Sequence, residues 1–335
     1  MKQKPIIGIT MGDPAGIGPE IVIKALAGRE IYDKVRPLVI GNVDYLKQTM
    51  EILKMSLKIN EVEKVEDCKF QCGILDVINI PCEEKRISFG KMSSKTGRAS
   101  FDYIKKSIEM GLSGFIDGVA TAPINKEAIH AAGVDFIGHT EMYADLTSSK
   151  DVLTMFQVNN LRIFFLTRHM SLIEACNYIT FDNVYKGIVL SHDALVSLGF
   201  NKPKLAVAAL NPHGGENGLF GYEEVREMTP AIAKANEEGI DVYGPVPADS
   251  VFHLAKIGRY DAVLSLYHDQ GHIAAKTLDF EKTVSVTVGL PFVRTSVDHG
   301  TAFDIAGKGI ASSVSMEEAI KVAGEYAFLV KQTKE

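Results

Sequence analysis

The sequence predicts an α/β protein with a mostly parallel sheet. Short runs of β-branched and apolar residues alternate with amphipathic helical stretches, the runs being PIIGIT, RPLVIG, GVATAP, LRIFFLT, KLAVAALN, DAVLSLYH and VSVTVGLP. Most of these runs end in polar or glycine-containing segments. Because ligands of open α/β sheets bind beyond the carboxyl ends of the strands, we expect the chemistry at these junctions.

Length and composition agree with this class. The 335 residues suffice for two domains, and 46% hydrophobic with 23% charged residues is typical of a globular protein. Lys and Arg number 36 against 42 Asp and Glu, so the net charge is −6. This excludes a broad basic surface for nucleic acid or an anionic membrane. A local cluster of donors must therefore bind any anionic substrate.

The N-terminal segment MKQKPIIGITMGDPAG lacks the apolar core of a signal peptide, and no apolar run approaches the ~18 residues of a membrane span. We therefore expect a cytoplasmic protein. The four cysteines, Cys68, Cys72, Cys82 and Cys176, lack the paired spacing of a zinc site and are expected to be free thiols.

The first strand is followed by a glycine-rich turn, Met11 to Glu20, that leads into a helix. Such a turn exposes backbone N–H groups at a helix N-terminus and can bind an anion. It is neither a Walker loop nor a G-x-G-x-x-G turn. A tight strand-to-helix turn with Pro19 in the first helical turn is the alternative.

Three histidines, His169, His213 and His268, each follow a predicted strand by a few residues. A shared sheet edge would bring them together, and three imidazoles with open positions suit a divalent metal such as zinc. The alternative is that each is an ordinary hydrogen-bonded histidine.

Gly138-His139-Thr140-Glu141 places an imidazole and a hydroxyl side by side before a predicted helix. His139 and Thr140 are candidates for binding a phosphate or carboxylate. Alternatively, Thr140 is a helix N-cap with Glu141 in the first turn.

Lys276 and Arg294 flank the apolar strand near the end of the chain. In an acidic chain, cations beside the histidine-bearing loops are candidate contacts for an anionic substrate, although most such residues are simply solvated. Spacing alone does not decide the role of these two residues or of Asp249 in GPVPADSVF.

Seven ordered segments resemble the 4-hydroxythreonine-4-phosphate dehydrogenase (PdxA) family: ITMGDPAGIGPE, TAPINKEA, GHTE, LNPHGGENG, GPVPAD, YHDQGH and GLPFVRTSVDHGTAFDIAG. The resemblance covers essentially the whole chain. It implies an isocitrate/isopropylmalate dehydrogenase-like α/β/α fold with two domains, an inter-domain cleft and a homodimer with shared active sites. We place the first domain at residues 1–130 plus 300–335, and the second, with the metal ligands and dimer contacts, at 131–299.

The resemblance also implies roles for individual residues. One divalent ion (Zn, Mg, Mn or Co) would be held by His169, His213 and His268. The substrate contacts would be His139, Thr140, Lys276, Ser285 and Arg294. Lys276 and Asp249 are the expected catalytic residues, with Asp249 reaching the site from the partner subunit. Ser285 stands where the family has a substrate-binding asparagine, so that contact is shorter or lost; no residue is assigned to the cofactor.

The implied activity is that of an NAD- or NADP-dependent oxidoreductase. It would oxidise the C3 hydroxyl of a four-carbon 3-hydroxy acid 4-phosphate and then decarboxylate the product. Segments such as GENGLFGYEE resemble the branch of the family that acts on phosphorylated four-carbon sugar acids. This resemblance implies D-threonate or D-erythronate 4-phosphate as substrate, giving dihydroxyacetone phosphate and CO2. The alternatives are 4-phosphohydroxy-L-threonine dehydrogenase of vitamin B6 biosynthesis and, in another class, a non-catalytic metal- and phosphate-binding sensor.

Overall fold

The computed structural model of the chain describes residues 3–82 and 84–334. The strands of these residues are β1 (Ile6–Thr10), β2 (Arg36–Gly41), β3 (Lys58–Val62), β4 (Ile74–Asn79), β5 (Gly118–Thr121), β6 (Leu153–Val158), β7 (Leu161–Phe165), β8 (Leu205–Ala208), β9 (Val242–Val246), β10 (Ala262–Ser265), β11 (Val284–Val288) and β12 (Val293–Val297). The α-helices are α1 (Gly18–Ala27), α2 (Arg29–Lys34), α3 (Val43–Leu53), α4 (Ser94–Leu112), α5 (Lys126–Ala131), α6 (His139–Leu146), α7 (Leu172–Asn177), α8 (Phe181–Ser197), α9 (Thr229–Glu237), α10 (Ala248–Lys256), α11 (His268–Leu278) and α12 (Val314–Lys334).

The chain divides into two compact units. Unit 1 comprises residues 1–152 and 290–335, and unit 2 comprises residues 153–289. The predicted boundaries, after residue 130 and before residue 300, differ from these positions. The reason is that α6 packs against α4 and β12 pairs with β5, so both elements belong to unit 1. Which unit a strand joins is decided by long-range contacts, which local periodicity does not reveal.

Unit 1 orders its strands β3-β4-β2-β1-β5-β12, and each neighbouring pair is parallel. The IIGIT sequence of β1 is buried at Ile7 through Thr10, as expected for a central parallel strand covered on both faces. The strand order reverses beside β1, because β2 lies on one side of it and β5 on the other. Such a reversal is where open α/β sheets bind ligands.

Unit 2 orders its strands β11-β6-β7-β10-β8-β9. Strand β6 is antiparallel to both β11 and β7, whereas β7, β10, β8 and β9 are mutually parallel. A core that includes Phe156, Ile163, Val251 and Ala275 joins these strands to α10 and α11. Since β7, β10 and β8 are parallel neighbours, the loops after them leave the same edge of the sheet.

All seven predicted runs contain a strand, and the predicted α/β class is confirmed. The predicted runs do not include strands β3, β4, β6, β9 and β12. Of these, β3 and β9 are edge strands, which need no continuous apolar run. The four cysteines are free thiols, as expected. None of the described helices is long and apolar enough to cross a membrane.

Candidate active site

Three loops at the carboxyl edge of unit 2 carry the histidines that the sequence singled out. His169 follows β7, His213 follows β8, and His268 begins α11 after β10. The Thr167 hydroxyl donates to the carbonyl of Leu266 at 2.8 Å and so joins two of these loops.

His169 and His268 lie together, with ring centroids 6.1 Å apart. The Nδ1 atom of His268 is 2.7 Å from a carboxylate oxygen of Asp269. Because a carboxylate only accepts, this contact favours the tautomer with hydrogen on Nδ1 and leaves the Nε2 lone pair available. A Zn–N bond is about 2.0–2.1 Å long, so two imidazoles at this separation fit around one ion.

The ring of His272 packs against the ring of His268. The two rings stack at 3.6 Å with an interplanar angle of 11°. On its other sides His272 contacts Phe156 and Phe165, with ring centroids 4.4 and 4.5 Å away. Sequence reasoning missed this packing, although the spacing of four residues within YHDQGH places both imidazoles on one helix face.

His213 lies in the turn Pro212–Gly218. Its Nδ1 atom is 2.9 Å from a carboxylate oxygen of Glu216, and 66% of its side chain is exposed. Within residues 3–82 and 84–334, no three His, Cys, Asp or Glu side chains form a group able to hold a metal. The structure thus places His169 and His268 near each other, and the binding of one ion by all three histidines stays a prediction.

Unit 1 contains a buried cationic cluster around Arg294, the Arg294 cluster. This side chain is 2% exposed and donates to Thr121 Oγ1 at 2.9 Å and to Thr140 Oγ1 at 3.4 Å. Its guanidinium carbon lies 5.1 Å from the centre of the Tyr143 ring. Burial lowers the pKa of Arg294 to about 10, and the Tyr143 hydroxyl opposes this shift. The group therefore stays charged at neutral pH.

His139 lies beside this cation at the start of α6. Its Nε2 atom is buried without a hydrogen-bond partner. Burial and then the charge of Arg294 hold the pKa of His139 well below its usual range, so the imidazole is neutral. Gly138 is the N-cap of α6 without a side-chain cap bond, so the alternative in which Thr140 caps the helix is wrong. The charge of Arg294, together with His139 in the tautomer that carries hydrogen on Nε2, makes this cluster suitable for an anion.

The remaining predicted site residues lie in unit 2. Lys276 is half-buried in the last turn of α11, with its ammonium 5.0 Å from the centre of the Phe280 ring. Ser285 lies opposite Phe156 in the β11–β6 pair. Asp249 is exposed in the first turn of α10.

The glycine-rich turn after β1 uses its amide groups within the protein. The acceptors are the Pro123 carbonyl for Asp13, the Asp13 carboxylate and carbonyl for Ala15 and Gly16, and the Thr301 carbonyl for Ile17. This geometry favours the tight-turn alternative over anion binding. Asp13 itself is fully buried, and one of its carboxylate oxygens has no hydrogen-bond partner. Burial, opposed by bonds from Ala15 and Thr96, raises the pKa of Asp13 to about 6.

These features define an α/β protein whose two units each place polar side chains near the ends of parallel strands. The family described as pyridoxal phosphate biosynthetic protein PdxA matches residues 33–323, and the chain belongs to this family. It is accordingly a dehydrogenase of the PdxA type.

Several relatives span the full chain. A Symbiobacterium thermophilum protein named "Putative D-threonate 4-phosphate dehydrogenase" is 56% identical over 335 residues and 100% of both chains. A Halalkalibacterium halodurans protein of the same name is 55% identical over 98% of both chains.

Solved structures agree with the fold. The 4-hydroxythreonine-4-phosphate dehydrogenase of Burkholderia phymatum is 44% identical with a TM-score of 0.88, over 97% of this chain and 99% of that one. The Klebsiella pneumoniae enzyme of that name is 38% identical with a TM-score of 0.89, over 96% and 99%.

Proposed function

We propose that the protein is a metal-dependent NAD(P) dehydrogenase that oxidises C3 of D-threonate or D-erythronate 4-phosphate. The 3-keto acid formed then loses CO2 to give dihydroxyacetone phosphate. The observation that carries the proposal is the buried Arg294 cluster, whose charge suits a phosphorylated anion. The names of the relatives that are 55–56% identical support the sugar-acid substrate.

In this proposal the Arg294 cluster binds the phosphate. The guanidinium supplies the charge, the Thr140 hydroxyl adds a neutral donor, and the neutral His139 ring donates from Nε2 in the tautomer that carries hydrogen there. Since burial has already removed water from these groups, they bind an anion more strongly than solvated cations do.

His169 and His268, joined by His213, would hold one divalent ion of zinc, magnesium, manganese or cobalt. When bound, this ion polarises the C3 oxygen and the nicotinamide cofactor accepts the hydride. Lys276 is proposed to take the proton of the C3 hydroxyl, and Asp249 to assist it. Asp269 and Glu216 would fix the tautomers of two metal ligands.

A homodimer with Asp249 acting in the partner's site completes the proposal. Large apolar side chains beside the histidine loops support it, since Leu172, Ile173 and Leu219 are 58%, 76% and 68% exposed. Mixing Asp249→Ala subunits with His268→Ala subunits should restore part of the activity. A mixture that exchanges subunits and stays inactive contradicts shared sites.

The second candidate substrate is 4-phosphohydroxy-L-threonine, because the solved structures that are 38–44% identical carry the name of that activity. Its amino group presents a cation at C2, whereas the sugar acids present a neutral hydroxyl. Ser285 is a short hydroxyl side chain opposite Phe156, which suits the hydroxyl.

The deciding experiment compares kcat/KM for the three phosphorylated acids with NAD and with NADP, following reduced cofactor. We expect the sugar-acid phosphates to be preferred, and Ser285→Asn to shift preference toward the amino acid. Higher kcat/KM for the amino acid phosphate in the wild type assigns the protein to vitamin B6 synthesis. Absence of cofactor reduction with every substrate favours the sensor.

The metal assignment is tested by chelation. Activity should vanish in the metal-free protein and return with added divalent ion, and His213→Ala should be inactive. His130→Ala, at an exposed histidine in unit 1, is the control and should remain active. Full turnover of the metal-free protein rejects the assignment.

A further inference from the structure

The turn that carries His213 has an unusual backbone. Five consecutive residues, His213 to Asn217, have φ between +43° and +76°. Glycines adopt this left-handed region freely, but His213, Glu216 and Asn217 are not glycines, and each costs about 1–2 kcal/mol there. Such a conformation persists only where the surrounding structure imposes it.

Glu224 holds this left-handed conformation at the N-terminal end of the turn. This carboxylate is 1% exposed. One oxygen accepts from the backbone N–H groups of Leu210 at 2.9 Å and Asn211 at 2.6 Å. The other accepts from the Asn211 side chain at 2.9 Å. Three donors thus fix the residues that lead into the turn.

The same carboxylate also packs against the middle of the turn. A Cβ atom on Gly215 would lie 2.8 Å from a Glu224 oxygen, so the backbone of the turn passes directly over the carboxylate. The turn is closed on its far side by the Phe220 N–H, which donates to the Gly215 carbonyl at 3.2 Å. Glu224 therefore constrains both the entrance and the centre of the turn.

Glu224 is itself held firmly, because it begins the π-helical turn Glu224–Met228 that runs into α9. In this turn Glu227 accepts from the Phe181 N–H at 2.8 Å and ties it to α8. Single π-helical turns are frequent near functional sites.

We infer that Glu224 is a positioning residue that holds the left-handed turn 213–217 and thereby sets the metal affinity of His213. The inference rests on the proposed function for the metal role of His213. Glu224→Gln keeps the shape but turns one acceptor oxygen into an NH2 group. At least one of the three donors then loses its partner, and the turn is released.

Glu223→Gln is the matched control. Glu223 also accepts from the Asn211 side chain, at 2.7 Å, but it is only half-buried, and the backbone N–H groups at the entrance of the turn donate to Glu224 instead. Gly215→Ala is the second variant, since it disturbs the contact from the turn's side. It replaces Glu224→Gln if that protein does not fold.

The experiment measures hydrogen exchange of residues 210–222 and Zn²⁺ affinity by competition with a chromophoric chelator. For Glu224→Gln we expect faster exchange, about 10- to 100-fold weaker Zn²⁺ binding, and a kcat/KM that recovers at high metal concentration. Glu223→Gln should stay within about twofold of the wild type on this scale.

Unchanged exchange in Glu224→Gln overturns the positioning role, and faster exchange with unchanged Zn²⁺ affinity overturns its link to the metal. If the wild type binds no divalent ion, the proposed metal role of His213 is overturned, and with it the link between Glu224 and metal affinity. The exchange data then decide only whether Glu224 holds the turn.

Discussion

Arg294 offers a test in which stability and binding move in opposite directions. Burial lowers its pKa from 12.5 to about 10. At 1.36 kcal/mol per pKa unit, the charged guanidinium costs the ligand-free fold ~3 kcal/mol. Below about pH 10 the group is protonated in both the folded and the unfolded chain, so this cost is constant across neutral pH.

Arg294→Met removes the charge and keeps much of the volume. The variant loses the bond to Thr121, whose hydroxyl still donates to the Thr295 carbonyl, and the contact with the Tyr143 ring. Replacing a buried charge by a well-packed apolar side chain is neutral or stabilising by about 1–4 kcal/mol. We therefore expect the free energy of unfolding of the ligand-free protein to rise by ~1–3 kcal/mol.

Phosphate should reverse this difference in stability between the variant and the wild type. Inorganic phosphate at about 100 times its Kd stabilises the wild type by ~2.7 kcal/mol, and the variant should show no such gain. The assay is urea unfolding followed by far-UV circular dichroism, because the chain has no tryptophan. Arg259→Met is the control, since Arg259 is exposed and lies 5.7 Å from the centre of the Tyr260 ring. A variant that is less stable by ~2 kcal/mol or more yet keeps the phosphate response refutes the reasoning.

Three further outcomes are expected. The raised pKa of Asp13, about 6 against an ordinary 3.8, means that the folded chain retains a proton that the unfolded chain releases. The free energy of unfolding should therefore fall by ~2–3 kcal/mol between about pH 4 and pH 7 from this group alone, and a pH series of urea unfolding should lose that component in Asp13→Asn. Lys24→Met removes three hydrogen bonds of 2.7 to 3.0 Å, one to a buried carboxylate and two to loop carbonyls. Thermal unfolding should show that the free energy of unfolding falls by ~2–4 kcal/mol. Lys34→Met, at an exposed lysine, should leave it unchanged. Gly97→Ala places a Cβ 2.0 Å from a carbonyl oxygen of α5 and should destabilise by ~2–3 kcal/mol; equal stability of Gly97→Ala and Gly28→Ala, where the space is open, contradicts this packing.

Continuous burial made some strands predictable, whereas β4, β6 and β12 are also buried but lie outside the predicted runs. Runs such as PIIGIT and RPLVIG are apolar because both faces of β1 and β2 are covered, and local sequence therefore reports the structure directly. Strand β12 was harder to place in a domain. Only its pairing with β5 assigns it to unit 1.

The candidate site was likewise predictable only in part from the sequence. Strand-end histidines were visible in the sequence, and two of them, His169 and His268, lie together. The buried state of Arg294 was not visible, because an arginine beside an apolar strand is usually solvated. Glu224 was equally hidden, since a carboxylate that accepts only from backbone and amide N–H groups has no complementary charge in the sequence to indicate its role.

The assembly of unit 1 from two distant segments has a consequence for synthesis. On the ribosome, residues 153–289 emerge as an uninterrupted stretch and have every strand of their own unit before residues 290–335 are made. Strand β5 waits longer, because its neighbour β12 and the covering helix α12 are translated after unit 2. During that interval β5 has an open edge able to pair with another nascent chain, and the arrival of β12 closes that edge.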